Sequence, residues 1–231
     1  MLEPTISLVA RLPRRKFNAP RISDLPTPVV PVKMFKPSSN CIVIWLIKAK
    51  FEIVSHGYRW IDYQYIDPKI EEEHIIKCNE TIKNIFGHYP SGWYTGRTSP
   101  NTRELVLKNT EVLYDSDAYN DDLPYWIEHN NKKHLIIPYT LDNNDMRFAT
   151  AQGFNTGDDF YHYLKDSFDT LYNESVKTGS SKMMSIGLHC RIIGRPGRFK
   201  SLVKFLNYIS EYNDVWICQR KEIAEFWYNQ F

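Results

Sequence analysis

Two histidines stand where short apolar runs end, and both are placed for acid–base work. His56 follows residues 51–55 and opens the stretch His56-Gly57-Tyr58-Arg59-Trp60-Ile61-Asp62-Tyr63. A polar ring at a strand end, followed by glycine and aromatics, suits a binding pocket; the other reading is a structural histidine hydrogen-bonded under a Trp lid. His189 closes the run 183–189, where a general acid or base belongs. Its alternative is a core histidine satisfied by a backbone carbonyl. Each histidine has an arginine close in sequence, Arg59 and Arg191, which favours one shared site. Cys190 follows His189 without a nucleophile motif, so it reads as packing.

Other polar segments carry weaker signals. Residues 92–103, Gly92-Trp93-Tyr94-Thr95-Gly96-Arg97-Thr98-Ser99-Pro100-Asn101-Thr102-Arg103, let the backbone approach a ligand closely, and Arg97 can clamp a carbonyl-rich one. A turn-rich connection with surface arginines is the plainer reading. No GK[ST] follows the glycines, which excludes a Walker loop. Asp115, Asp117, Asp121 and Asp122 crowd residues 115–122, but the glycine and glutamate of a calcium loop are missing. Helix caps plus one or two pocket carboxylates fit better. The same ambiguity holds for Asp142, Asn143, Asn144 and Asp145.

The elements that must position these groups alternate in type. Strands are expected at residues 41–47, 51–55, 111–114, 134–139, 183–189 and 215–218. The clearest helix begins with Asp67 as N-cap and Pro68 at its first position, and ends at Gly87. Its stripe is Ile75, Cys78, Ile82 and Ile85. Further helices are expected at 158–174, 199–212 and 221–228. Alternating strands and helices imply parallel βα units, whose sites lie in the loops after the strands. Residues 1–40 are punctuated by Pro13, Pro20, Pro26, Pro28, Pro31 and Pro37 and read as irregular or disordered, with a single domain over 41–231.

Composition limits the function classes. At 231 residues the chain can bury a sizeable core. A net charge of +2 gives no nucleic-acid footprint, and the longest apolar run is too short to span a bilayer. Cys41, Cys78, Cys190 and Cys218 lie far apart, which excludes a zinc knuckle and points to a reducing, cytoplasmic setting. Residues 1–16 lack a sustained apolar stretch, so no secretory signal is expected there.

Segments 56–64, 92–103, 114–126, 137–148 and 183–198, in this order and spacing, resemble the PuuE-type allantoinases, a branch of the polysaccharide deacetylase (NodB homology) superfamily. That resemblance implies an α/β fold, a distorted β/α barrel, with an added segment over about 117–160 that narrows the cleft and supports a tetramer. Deacetylases hold a divalent metal with one Asp and an H-[ST]-x-x-H pair. Here His56 matches the first histidine, Trp60 stands at the second, and Gly57 replaces the Ser or Thr. An indole has no lone pair for a metal, so the resemblance implies hydrolysis with no metal and no cofactor. The implied reaction opens (S)-allantoin, or a related cyclic amide, to allantoate, with a homo-oligomer as the working form. His189 matches the catalytic histidine, His56 orients water or a ring carbonyl, Trp60 packs on the flat ring, and Arg97 and Asp115 contact ureido and carbonyl groups.

One element of the family's pattern is missing. Its first strand carries an acid within an N-Y-E-E-G type motif, whereas residues 1–50 hold only Glu3 and Asp24. The expectation is a barrel lacking its first one or two βα units. Two other readings stay open: a metal-dependent N-deacetylase of chitin or peptidoglycan, and an inactive truncated family member.

Overall fold

The helix expected at Asp67 forms as its caps dictate. The computed structural model describes residues 5–10 and 51–231, so the strand expected at 41–47 lies outside the described residues. Helix α1 (Pro68–Phe86) starts with Asp67 accepting the Lys69 N–H at 2.8 Å and stops at Gly87 in the left-handed region, φ 84°. Its buried face is Glu71, Ile75, Cys78 and Asn79, with Ile82 packed alongside. Ile85, expected on the stripe, is half-exposed because the last turn runs past the core that Ile75, Cys78 and Trp93 share.

Strands β2 (Gly92–Trp93), β3 (Tyr114–Asp115), β4 (Tyr125–His129) and β5 (Lys132–Ile136) form one sheet in the order β2-β3-β5-β4. The first three run parallel, with Gly92 beside Tyr114 and Asp115 beside Ile136. Residues 51–55 continue this row, since Ser55 bridges Trp93 in parallel and its N–H donates to the Gly92 carbonyl at 3.0 Å. Gly92 is needed here, because a Cβ would sit 2.2 Å from the Tyr114 ring.

Strand β4 is antiparallel to β5, joined through Asn130 and Asn131 at φ 49° and 59°. Two successive left-handed asparagines make the tight hairpin turn. The span 117–160, expected as a segment added above the barrel, therefore supplies β4 and β5 to the sheet itself. Leu135, Ile136 and Ile137 are fully buried there.

The second sheet places β1 (Thr5–Ala10) between β6 (Lys182–Gly187) and β7 (Val215–Cys218), antiparallel to both. β1 corrects two expectations: an irregular chain over 1–40, and parallel pairing throughout. Thr5-Ile6-Ser7-Leu8-Val9-Ala10 is a run of strand formers that ends before the series of prolines begins at Pro13. The two sheets curl toward each other at both edges. Asn144 bridges Gly187 in parallel on one side. On the other, the Glu52 N–H reaches Gln219 Oε1 at 2.5 Å and the Lys221 N–H reaches Glu52 Oε2 at 3.0 Å.

Helices cover the outside. Helix α2 (Thr102–Asn109) packs with α1 over Trp93. Helix α3 (Gly157–Thr178) opens with a Thr156–Asp159 capping box and closes at Gly179. It buries Phe160, Leu164 and Phe168 against Leu202, Phe205 and Ile209 of α5 (Pro196–Ile209) and Met184 and Ile186 of β6. The short α4 (Cys190–Ile193) precedes α5, and α6 (Arg220–Gln230) sets Ile223 and Ala224 against Tyr114 and Leu135. Each large apolar side chain buried this way contributes roughly 1.5–3 kcal/mol, which fixes the strand ends in place. No helix among the described residues is long and apolar enough to cross a membrane.

Candidate active site

The side chains able to do chemistry gather just beyond the strand ends. His56 follows Ser55, Tyr94 follows β2, Asp117 and Tyr119 follow β3, Tyr139 follows β5, and His189 follows β6. Neighbouring parallel strands end at the same level, so their loops share one rim.

His189 is locked to Asp145. Its Nδ1 lies 2.6 Å from Asp145 Oδ1, and its backbone N–H donates to Asp145 Oδ2 at 2.8 Å. The Ile193 N–H, in the first turn of α4, reaches the same oxygen at 3.1 Å. Both side chains are buried, His189 at 3% exposure and Asp145 at 0%. Burial raises the Asp145 pKa, while the bonds from His189 and Ile193 pull it back. The carboxylate thus orients the ring through Nδ1. Asn144, next to Asp145 in the chain, is itself held: its Oδ1 accepts the Met146 N–H at 2.7 Å and its Nδ2 donates to Tyr139 Oη at 2.9 Å.

A row of rings leads from His56 toward this pair. His56 meets Tyr94 at 5.2 Å between centroids, and Tyr94 stacks on Tyr139 at 4.8 Å and 15°. Tyr139 Oη in turn sits over Gly187, where a Cβ would lie 1.9 Å from it. Under Tyr139 is Arg220, 6% exposed, with its guanidinium 5.2 Å from the ring centroid. Arg220 donates to Ser116 Oγ, to the Ile137 carbonyl at 3.3 Å, to the Pro138 carbonyl at 3.4 Å and to Ser185 Oγ at 2.8 Å. One side chain therefore ties the ends of β3, β5 and β6 to the start of α6.

Asp117 faces the His56 side. Its carboxylate accepts the Thr95 N–H at 2.9 Å and the Gly96 N–H at 2.7 Å. Burial pushes its pKa up to about 6 and the Asp115 charge acts the same way, while the Gly96 and Thr95 N–H groups and His56 lower it. Asp115, which the resemblance assigns to substrate contacts, is 3% exposed and uses both oxygens on the chain itself. Oδ2 accepts Arg103 Nε and Oδ1 accepts the Asp117 N–H, each at 2.7 Å. Trp60 and Arg97 are brought together, with the guanidinium 4.3 Å over the indole, on an exposed face. An open cavity of about 420 Å³ adjoins the ring row through Tyr119 and Tyr139 and is rimmed by Asp142 and Arg147.

Nothing in the sequence sets Asp145 and Asp117 apart from their acidic neighbours. Asp145 stands 44 residues from His189 in sequence, so spacing could not pair them. A metal of the deacetylase kind does not fit the residues present: Trp60 supplies no lone pair four positions after His56. Among the described residues, no group of three or more His, Cys, Asp or Glu side chains is arranged to hold an ion.

No family model matches the chain. A Schizosaccharomyces pombe protein whose name places it among the polysaccharide deacetylases is 45% identical over 205 residues, 81% of this chain and 64% of that protein. A Pseudomonas aeruginosa crystal structure named as a polysaccharide deacetylase superposes with a TM-score of 0.79 at 50% identity, covering 83% of this chain and 64% of the other. The chain resembles proteins of the polysaccharide deacetylase superfamily and has the α/β fold of that type. Within it, the chain is similar to Puue allantoinase, whose crystal structure gives a TM-score of 0.80 at 51% identity over 83% of this chain and 64% of that one. The chain spans about two thirds, 64%, of the length of each of these relatives.

Proposed function

We propose that the protein hydrolyses a carbon–nitrogen bond of a cyclic amide, opening (S)-allantoin to allantoate without a metal. The observation that carries this reading is the buried His189–Asp145 pair, with the Asp145 carboxylate on Nδ1. Water attacks the ring carbonyl, the carbon–nitrogen bond breaks, and His189 Nε2 delivers a proton to the leaving nitrogen. Asp145 compensates the imidazolium that this requires. His56 orients the water or the carbonyl, and Trp60 with Arg97 stacked on it offers a flat, donor-rich face to a ureide. The 51% identity to Puue allantoinase supports this substrate; a cytoplasmic homotetramer acting in purine catabolism belongs to the same proposal.

A second reading is favoured by the names of the yeast and Pseudomonas relatives: N-deacetylation of a polysaccharide. Both are tested by assaying the purified protein for allantoin loss and for acetate release from chitooligosaccharide, each with and without chelator. Chelator-resistant allantoin loss supports the proposal. Chelator-sensitive acetate release supports the second reading, and neither activity sinks both.

A further inference from the structure

Delivering a proton from His189 leaves one requirement unmet, because something must take the proton of the attacking water. A group suited to that task is ionised when water arrives, reaches the shared rim, and is not neutralised by a fixed cation. Most acids at the rim fail one of these conditions. Asp145 is held by His189, and Asp115 is paired with Arg103. Asp121 and Asp142 are exposed on the wall of the open cavity, away from the ring of His56. Glu52 is bound by Ser91, Tyr114 and the Lys221 N–H.

Asp117 meets the conditions. It is half-buried, and among the described residues no cation is in ion-pair contact with it. Backbone N–H groups of Thr95 and Gly96 fix its carboxylate, and Gly96 at φ 71° lets the two amides point to one place. Charged and titratable groups face it from each neighbouring element. His56 comes from the strand at 51–55, Tyr94 from the exit of β2, Asp115 and Tyr119 from its own loop, and Arg103 from α2. Burial holds the Tyr94 and Tyr119 hydroxyls in their protonated form, so both act as neutral donors.

We propose that Asp117 is the proton acceptor for the attacking water, with His56 beside it as a positioning residue, while His189 protonates the leaving nitrogen. This rests on the hydrolase reading above. Water's oxygen bonds to the ring carbonyl carbon and its proton passes to the Asp117 carboxylate. The carbon–nitrogen bond then breaks and the nitrogen takes the His189 proton. Cleavage therefore ends with Asp117 protonated and His189 neutral, and one proton passes back through solvent to reset the site. The raised affinity of Asp117 for a proton, near pH 6, suits it to this work around neutrality.

The test uses the full chain and its Asp117→Asn and His56→Gln variants, followed by the pH profile of allantoin hydrolysis and by carbon-13 titration of the aspartate carboxyls. Expected are a fall in kcat of about 10²-fold or more in Asp117→Asn with KM little changed, and loss of the acid limb of the profile. The Asp117 carboxyl should titrate near pH 6 and move upward in His56→Gln, since the His56 contribution that lowers it is gone. Asp117→Asn retaining activity within about twofold of the unaltered protein overturns the proposal. So does a carboxyl midpoint near the ordinary ~4 that ignores His56→Gln. Failure of the hydrolase reading has a different signature: no allantoin loss by the unaltered protein, with the carboxyl titration as described.

Discussion

His189 Nδ1 lies 2.6 Å from Asp145 Oδ1, and the other oxygen of that carboxylate takes the backbone N–H of the same histidine at 2.8 Å. One residue thus fixes both the ring and the main chain of its partner. The imidazole cannot rotate without breaking the first bond, and α4 cannot shift without breaking the second. Such a clamp fits a group that must present a single nitrogen to a reacting atom.

Asp145→Asn and His189→Ala should therefore each lower kcat by about 10²–10⁴-fold. Asp145→Ala should add a stability defect, because it strands the N–H groups of His189 and Ile193 and the imidazole Nδ1 in a buried site. Each stranded donor costs about 1–3 kcal/mol. Steady-state kinetics and urea unfolding on the three variants check this. Near-normal turnover in His189→Ala would remove that residue from the mechanism.

Much of the scaffold was legible in the sequence because its signals are local. Asp67, Pro68 and Gly87 delimit α1, and the run 215–218 coincides with β7. Helix stripes at Phe160, Leu164 and Phe168, and at Leu202, Phe205 and Ile209, match buried faces. The elements missed are those whose identity depends on distant partners. Strand β2 is two residues long and exists because Tyr114 and Ser55 flank it. Strand β4 alternates weakly and is defined by β5 across the Asn130–Asn131 turn. At the site, the two strand-end histidines were legible as candidates. Asp145 and Asp117 were not, since their partners come from other loops.

Asp117 also gives stability a pH dependence of known sign. Its folded pKa of about 6 lies above the ordinary aspartate value, so the folded state binds this proton more tightly than the unfolded chain. The stability from this group is fully present below about pH 4, and it is lost as pH rises through about 6. Melting temperatures of the unaltered protein and Asp117→Asn, taken from pH 5 to 8, should diverge upward in favour of the variant as pH rises. Parallel curves would contradict the burial of this carboxyl.

Arg220 joins the exits of β3 and β5 to β6 through one buried side chain. Replacing it with Met leaves the Ile137 and Pro138 carbonyls and the Ser116 and Ser185 hydroxyls without their common donor. A loss of about 3–5 kcal/mol is expected, as for other buried charged groups whose network is broken. Arg220→Lys should recover little, because an ammonium cannot span the planar fork that reaches both Ser116 and Ser185. Chemical denaturation of both variants measures this, and a Lys variant as stable as the parent would refute it.

Gly187 and Tyr139 should be energetically coupled. A Cβ at Gly187 would meet Tyr139 Oη at 1.9 Å and Asn144 Nδ2 at 2.7 Å, inside the contact that orients Asn144 above Asp145. Gly187→Ala alone should cost about 1–3 kcal/mol from overpacking and should lower turnover by displacing Tyr139 and Asn144. Tyr139→Phe alone gives up the bond from Asn144 Nδ2, about 0.5–1.5 kcal/mol. In the double variant the phenyl ring leaves room for the new methyl, so the combined loss should fall short of the sum by about 0.5 kcal/mol or more. Strict additivity in a double-mutant cycle would show that Tyr139 does not rest on Gly187. The kinetic cycle should follow the stability cycle, because the same contact that admits Tyr139 also bonds Asn144, the residue before Asp145 in the chain.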